Sequence, residues 1–215
     1  MSNTEIILIR HGATEWNREG RFQGQLNSPL TEVGVQQAQA LGARMRSEPL
    51  RAIYSSDLER SSTTATHIAQ AVGLKVQIDA RFRERHFGVF QGLRRNEMET
   101  LHPSAWARDQ SNDPDFAAPN GGESRREVLT RSWAGIETLA ERHAGEQILI
   151  VTHGGVLGVL LRHVLGIPLS SPRTFKVLNV AFNRIFLHRN GRWMASTLGD
   201  VAHLNHIVTE YDSAR

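Results

Sequence analysis

Residues 6–12 (IILIRHG) and 148–154 (ILIVTHG) share one local pattern: an apolar run, one polar residue, then a histidine and a glycine. Short, continuous aliphatic runs of this kind are typical of strands buried on both faces of a sheet. In open α/β sheets, ligands bind at the edge where the carboxyl ends of the strands meet. If these two strands are neighbours, we expect His11 and His153 to lie side by side at that edge.

Apolar periodicity elsewhere alternates between strands and helices. The patterns predict strands over 4–10, 52–55, 75–78 and 147–152, and helices over 31–47, 57–72, 125–143 and 156–165. They predict a hairpin over 177–188 and 193–197, a loop over 11–30, and an irregular segment over 79–124 with a candidate helix at 94–101. Strands that alternate with helices predict an α/β fold with a mainly parallel sheet.

The composition indicates a single globular domain spanning 1–215. A chain of 215 residues can bury a core without disulfides or a structural metal, and its lack of cysteine excludes a disulfide scaffold, thiolate metal sites and a cysteine nucleophile. We expect a cytoplasmic protein, because no apolar run has the length of a membrane helix and residues 1–10 lack the features of a signal peptide.

The charge balance does not indicate a nucleic-acid partner. The formal net charge is only +3, and the sequence pI of about 9.9 is high because lysine is scarce, Lys75 and Lys176 being the only two. The arginines are scattered along the chain, with no basic stripe interleaved with aromatic residues. A nucleic-acid binder is therefore a weak alternative, which salt-dependent binding to DNA or RNA would revive.

Two arginines and two histidines together would make a pocket selective for anions. Taken singly, neither arginine indicates a binding site. Arg10 could be a surface charge at the end of a strand, and Arg60 an exposed charge in the first turn of a helix. A cation near a helix N-terminus is slightly unfavourable unless an anion binds there as well. The guanidinium group of arginine can donate two parallel hydrogen bonds to phosphate oxygens, and a neutral imidazole is a competent nucleophile. The two histidines and two arginines together therefore suit phosphoryl transfer without a metal.

Such chemistry also requires a proton donor for the leaving alcohol. Glu84 is a candidate, since a phosphate dianion bound beside it would favour its protonated form. Charge reasoning alone does not select it over Glu15, Asp57 or Glu123.

Several segments, in order along the chain, resemble the histidine phosphatase superfamily in its phosphoglycerate mutase-like branch. These are LIRHGATEWN (8–17), FQG (22–24), SPLT (28–31), YSSDLER (54–60), RER (83–85), GGES (121–124), VTHGG (151–155), Asn179 and GDVAHL (199–204). The arginine-histidine-glycine tripeptide alone is weakly specific, but the ordered set covers most of the chain.

The resemblance implies a three-layer α/β/α sandwich and a role for each matched residue. His11 would be the phosphorylated nucleophile, and Glu84 the proton donor and later the base. Arg10, Arg60 and His153 would hold the phosphoryl group. The groups lining the phosphate or the adjoining substrate would be Asn17, Gln23, Gly24 and the amide of Gly154. No metal or other cofactor is implied, and the partner would be a small phosphate ester.

The sequence leaves phosphatase and mutase as alternatives. Only 69 positions separate Glu84 from His153, which is short for a mutase, and Gly154-Gly155-Val156 replaces the Gly-Asn-Ser of the mutases. We therefore predict a phosphatase, with a phosphoglycerate mutase as the alternative. Against this, residues 85–93 (RHFGVFQGL) look mutase-like. Arg94 and Arg95 either bind a second anionic group or form the solvated start of a helix.

The sequence also leaves alternatives for the use of a metal, for the role of the aromatic residues and for the oligomeric state. A metallohydrolase is a further alternative, although the sequence has no HExxH motif and no short-spaced cluster of ligands. We expect residues 86–124 to form one wall of the pocket. Aromatic residues there and at Phe22 either line a site for the leaving group or fill a core. The sequence does not select a monomer over a homodimer.

Overall fold

The computed structural model describes residues 3–204 and residue 207. The two ends of the predicted 1–215 domain, together with residues 205 and 206, therefore lie outside the described residues. The described strands are β1 (Thr4–Arg10), β2 (Leu50–Ser55), β3 (Val76–Ile78), β4 (Gln147–Thr152), β5 (Phe182–Leu187) and β6 (Trp193–Asp200). The described helices are α1 (Glu15–Glu19), α2 (Glu32–Met45), α3 (Glu59–Val72), α4 (Arg95–Leu101), α5 (Pro103–Gln110), α6 (Arg125–Arg142) and α7 (Gly154–Leu165).

One sheet carries the six strands in the order β3-β2-β4-β1-β5-β6. The four strands from β3 to β1 are parallel, whereas β5 and β6 form an antiparallel hairpin at one edge. The last residues of β1 and β4, Arg10 and Thr152, are partners in the register. The predicted α/β fold with a mainly parallel sheet is confirmed.

Helices cover both faces of the sheet, which gives the three-layer sandwich. Alternate side chains of β1 point to opposite faces. Ile6 and Leu8 pack into a core with α6 and α7. Ile7 and Ile9 pack into a second core with α2 and α3. Eight of the twelve residues of α7 are buried, which fits its apolar sequence.

Two short helices lie where the sequence patterns predict none. Within the predicted 11–30 loop, α1 begins at a capping box in which Thr14 accepts from the Asn17 amide and Asn17 bonds back to Thr14. Within the 79–124 segment, α5 begins with Pro103 in its first turn. Both helices are shorter than the window over which periodicity is readable. The predicted helix at 94–101 is confirmed as α4.

Some predicted boundaries were wrong. The first strand of the hairpin starts at Phe182 rather than at 177, because the preceding residues pass over the end of the sheet toward Arg10 and His11. A serine just before a helix is a common N-cap, but neither Ser55 nor Ser56 caps α3. Leu58 occupies the N-cap with no side-chain hydrogen bond, and Ser56 has another role described below.

The 86–124 segment contains a small core of its own. Phe90, Met98, Trp106 and Phe116 are buried against one another, beside Phe87. In the described part of the chain, no helix is long and apolar enough to cross a membrane.

Candidate active site

His11 and His153 follow directly after β1 and β4 at the carboxyl edge of the sheet. The His11 amide donates to the carbonyl of Thr152 at 2.9 Å, which extends the β1–β4 pairing by one residue. The two ring centroids are 5.2 Å apart, and both side chains are almost fully buried. The predicted juxtaposition is confirmed.

The His11 ring is held in one tautomer. Its Nδ1 lies 2.7 Å from the carbonyl oxygen of Gly12. A carbonyl oxygen only accepts hydrogen bonds, so Nδ1 carries the proton and Nε2 keeps its lone pair. The guanidinium Nε of Arg60 lies 3.3 Å from this Nε2. The ring therefore presents a neutral, nucleophilic nitrogen beside a cation.

Carbonyl oxygens orient the two arginines predicted for the site. Arg60, in the first turn of α3, donates to the carbonyl of Leu26 at 2.7 Å and to that of Gly24 at 2.6 Å. Arg10 donates to the carbonyl of Val177 at 2.7 Å. A carbonyl group carries no net charge, so these hydrogen bonds orient the two guanidinium groups without forming ion pairs.

His153 is fully buried next to the same cations. Burial, and secondarily the charges of Arg60 and the other nearby cations, hold the pKa of His153 well below its usual range. Its Nε2 lies 2.9 Å from Ser56 Oγ, which already accepts from the amide of Leu58. Nδ1 has no hydrogen-bond partner among the described residues. If Ser56 donates to Nε2, the proton of the neutral ring is on Nδ1. That N–H group is then available to donate to a bound oxyanion.

The lowered pKa of His153 makes stability depend on pH. Below the unfolded pKa of about 6.5 the unfolded chain binds a proton that the folded state rejects, so folding weakens as pH falls. For this one residue we expect a loss of about 1.4 kcal/mol per pH unit below 6.5. Denaturant unfolding at pH values from 8 to 5 measures this loss. His153→Gln should remove this contribution to the dependence of the unfolding free energy on pH.

The same titration contains a control, because the unfolding free energies of His153→Gln and of the unaltered protein should change in parallel between pH 7 and 8. Equal slopes for both proteins below pH 6.5 would contradict the assignment of a neutral, buried His153.

Glu84 bridges the turn that it belongs to and the start of α7. One carboxylate oxygen accepts from the amide of Arg85 at 2.8 Å, and the other accepts from the amide of Gly155 at 3.0 Å. A Cβ at position 155 would overlap the carboxylate, so glycine is required for this close approach. The backbone carbonyl of Glu84 accepts from Arg131 and Gln25, both at 3.1 Å. The carboxyl group is therefore fixed at the N-terminus of α7, next to His153.

The three alternative acids are in ion pairs. Glu15 pairs with Arg18 on α1. A hydrogen bond from Arg83 lowers the pKa of Asp57. For Glu123, burial alone would raise the pKa, but hydrogen bonds from Arg131 and from the His86 amide bring it below the ordinary value. The hydrogen bonds that lower the pKa of Asp57 and of Glu123 make these two carboxyl groups poor proton donors, which favours Glu84 over them.

The other predicted residues differ in how directly they reach His11. Asn179 donates to the carbonyl of His11 at 2.7 Å and also reaches Asn17 Oδ1 at 3.4 Å. Gln23 donates to Thr14 Oγ1 at 2.7 Å, and its own Oε1 is buried without a partner among the described residues. Gly24 bonds to Arg60 as described above, and Gly154 begins α7.

Sequence reasoning missed two positioning residues, Ser56 and Arg131. Serine beside a helix start reads as a cap, so nothing in the local pattern pointed Ser56 toward His153. Arg131 looks like a solvated residue in the middle of α6. In the structure it forms a two-pronged ion pair with Glu123 and bonds to the backbone of Arg81 and Glu84.

A cavity of about 220 Å³ opens beside Glu84 and α7. Gly154 and Gly155 line it, together with Phe22 and Phe87, whose rings meet edge to face at 5.2 Å. These two aromatic residues therefore line the site, whereas Phe90 and Trp106 fill the small core of the 86–124 segment. Among the described residues, no group of three or more metal-ligating side chains is placed to hold a metal ion.

A family model for the histidine phosphatase superfamily (branch 1) matches residues 6–201. The chain belongs to this superfamily. The match agrees with the resemblance seen in the ordered motifs, and it identifies the chain as a histidine phosphatase superfamily enzyme.

Relatives of this chain carry two kinds of name. The metal-independent phosphoserine phosphatase of Arabidopsis thaliana is 38% identical over 206 residues, which is 95% of this chain and 84% of the relative. The probable phosphoglycerate mutase GpmB of Salmonella choleraesuis is 39% identical, over 94% of this chain and 95% of the relative. The solved structure of Bacillus stearothermophilus YhfR superposes with a TM-score of 0.87 at 34% identity, covering 94% of this chain and 99% of YhfR.

Proposed function

We propose that this protein is a metal-independent phosphatase that hydrolyses small phosphomonoesters through a phosphohistidine on Nε2 of His11. The observation that carries the proposal is the fixed tautomer of His11. Its Nδ1–H is committed to Gly12, so a nucleophilic Nε2 faces Arg60 beside a second histidine, His153, whose pKa Arg10 also helps to lower. Those cations and the Nδ1 side of His153 supply donors for the phosphoryl oxygens.

In the first step, the lone pair of His11 Nε2 attacks phosphorus and the bond from phosphorus to the ester oxygen breaks. A protonated Glu84 gives its proton to the leaving alkoxide, so the alcohol departs neutral. The phosphate dianion bound near Glu84 favours that proton on the carboxyl group, because two adjacent negative charges are costly.

In the second step, the Glu84 carboxylate takes a proton from water as the water oxygen attacks phosphorus. The bond from phosphorus to Nε2 breaks, inorganic phosphate leaves, and Glu84 is again protonated. Arg10 and Arg60 would stay in contact with the phosphoryl oxygens through both steps, since their positions are set by backbone carbonyls.

The surroundings of Arg94 and Arg95 favour a phosphatase over a mutase. Arg94 is the N-cap of α4 and donates to the carbonyl of Glu19 at 3.1 Å. Arg95 is exposed and lies over the Trp106 ring. Neither belongs to the described residues that line the cavity. This supports the reading of these arginines as the solvated start of a helix. The relative named GpmB keeps the mutase as the alternative.

The experiment that tests the proposal uses the purified protein with excess EDTA. It is incubated with 3-phosphoglycerate and a small panel of phosphomonoesters, while free phosphate and 2-phosphoglycerate are both followed. We expect phosphate from several esters and no isomerisation.

Rapid formation of 2-phosphoglycerate with little phosphate would make the protein a mutase. Loss of activity in EDTA, with rescue by a divalent metal, would contradict the metal-independent mechanism.

A further inference from the structure

The carbonyl group that fixes the tautomer of His11 belongs to the peptide unit between Gly12 and Ala13. Its oxygen lies 2.7 Å from His11 Nδ1. The N–H of the same peptide unit, on Ala13, donates to Oε1 of Gln37 at 3.0 Å. Because this carbonyl decides which ring nitrogen of His11 carries the proton, whatever orients the peptide unit also orients the nucleophile.

A peptide unit transmits orientation from its N–H to its carbonyl. The unit is planar and trans, so its N–H and C=O point in opposite directions. A hydrogen bond that fixes the Ala13 N–H toward Gln37 therefore aims the Gly12 carbonyl the other way, where the His11 ring lies. Hydrogen bonds in such a chain also polarise one another, so the bond at the N–H makes the carbonyl oxygen a better acceptor.

Gln37 is a buried polar residue on the inner face of α2. Its side chain is 1% exposed, and Gly34 and Leu41, one turn away on either side, are buried on the same face. An amide in such a position has lost its hydrogen bonds to water, so it is stable only with partners in the protein. The Ala13 N–H can only donate, which places the oxygen of the Gln37 amide against it.

The first turn of α2 holds the same loop at a second point. Thr31, the N-cap residue of α2, donates through its amide to the carbonyl of Ala13 at 2.9 Å. Gly34 packs so closely against Ala13 that a Cβ at position 34 would overlap the Ala13 backbone. A Cβ at Gly12 would likewise overlap the backbone of Gly34. One helix therefore supports both the N–H and the carbonyl of Ala13.

The peptide unit before this one is held by other residues. The carbonyl of His11 accepts from Asn179 at 2.7 Å, and the N–H of Gly12 donates to Thr64 Oγ1 at 3.0 Å. Both contacts fix the backbone of His11, but neither lies on the carbonyl that accepts from its ring. The described hydrogen bond of Gln37 does lie on that peptide unit, at its N–H.

We propose that Gln37 is a positioning residue for the nucleophile, which acts through the peptide unit between Gly12 and Ala13 to keep the proton of His11 on Nδ1 and the lone pair on Nε2. This rests on the proposed function. As Nε2 bonds to phosphorus, the ring gains a positive charge, while its proton stays on Nδ1 and the leaving oxygen takes its proton from Glu84. A polarised Gly12 carbonyl stabilises that charge, so Gln37 should favour formation of the phosphohistidine.

Gln37→Met removes the acceptor and keeps a similar side-chain volume. The buried Ala13 N–H is then unpaired, and we expect the peptide unit to rotate away from the His11 ring to satisfy it. The value of kcat/KM for a phosphomonoester should fall about 10²-fold, the scale of a misplacement of about 1 Å near the reacting atoms. The affinity for inorganic phosphate, measured by calorimetry, should be nearly unchanged, because Arg10, Arg60 and His153 remain.

The tautomer of His11 is a readout that a merely structural role would not move. In the unaltered protein at neutral pH, heteronuclear NMR of the imidazole nitrogens should show His11 with a protonated Nδ1 and an unprotonated Nε2. Its signals are identified as those absent from His11→Asn. In Gln37→Met, we expect a population with the proton on Nε2, which cannot attack phosphorus.

Two further variants separate positioning from stability. Gln37→Glu keeps an oxygen that accepts from the Ala13 N–H, so it should retain more turnover and more of the Nδ1–H tautomer than Gln37→Met. Gln147→Met is the matched control, because Gln147 is also buried but lies at the start of β4, where it donates to Glu5 at the opposite end of the sheet. It should keep full turnover, and thermal unfolding shows whether each variant folds.

A proton on Nε2 of His11 in the unaltered protein would overturn the inference without any variant. An unchanged tautomer and turnover in Gln37→Met, or an equal loss of turnover in Gln147→Met, would also overturn it while the phosphatase stands. A changed tautomer in Gln37→Met, with no turnover of any ester by the unaltered protein, would refute the phosphatase while the role of Gln37 toward His11 stands.

Discussion

His11→Asn should lower kcat/KM for any phosphomonoester substrate by at least about 10⁴-fold, the scale seen when a catalytic nucleophile is removed. Asparagine keeps a donor near the position of Nδ1, which bonds to Gly12, but it has no equivalent of Nε2. The melting temperature should therefore change by only a few degrees. Steady-state phosphate release and thermal unfolding measure the two effects separately.

The intermediate gives a second readout of the same prediction. A bond from phosphorus to imidazole nitrogen is labile in acid and stable in base. Rapid alkaline quenching, digestion and mass spectrometry should therefore place a phosphoryl group on the peptide that contains residue 11. His163→Asn is the matched control, because His163 is exposed at the end of α7 and contacts only the Trp133 ring among the aromatic residues described, at an interplanar angle of 59°. Undiminished turnover by His11→Asn would overturn the mechanism.

Glu84→Gln should slow turnover of alkyl phosphates by about 10²- to 10⁴-fold, the usual contribution of a general acid. Glutamine keeps the size of the side chain but has no proton of comparable acidity. The first step should be nearly unaffected for p-nitrophenyl phosphate, because its leaving group is a weak base and needs no proton. The second step should still be slow, because glutamine does not deprotonate water.

These two expectations together predict a kinetic signature. With p-nitrophenyl phosphate, the variant should release a burst of about one equivalent of nitrophenol and then turn over slowly. Glu99→Gln, on the exposed face of α4, is the matched control and should behave like the unaltered protein. An equal loss for alkyl and aryl esters without a burst would show that Glu84 only positions other groups through its bond to Gly155.

The sequence determined the elements and the main juxtaposition of the site. Long apolar periodicities in β1, β4, α6 and α7 are local signals, because the burial of each face repeats along the chain itself. The matched endings of β1 and β4 predicted that His11 and His153 meet if the two strands are neighbours, and the strand order of the sheet makes them neighbours. The ordered motifs were enough to indicate the family.

Only the tertiary structure decided what surrounds those two histidines. Ser56 and Arg131 contact the site across 97 and 47 positions of sequence, through hydrogen bonds to His153 and to the backbone of Glu84. Hydrogen bonds between residues so far apart along the chain produce no periodic pattern in the sequence. Glu84 itself was selected by the family resemblance, and the structure adds that Asp57 and Glu123 have arginine partners in space.

The arginines that line the cavity beside Glu84 show the same division most clearly. As a sequence, Arg125, Arg162 and Arg173 are three charges among many on helices and loops, and the pair that stands out is Arg94-Arg95. In the fold, Arg94 and Arg95 are exposed at the start of α4, while the other three gather around the cavity. Local sequence patterns report which face of an element is buried. The gathering of charge from separate elements is a property of how those elements pack, because long-range contacts alone bring them together.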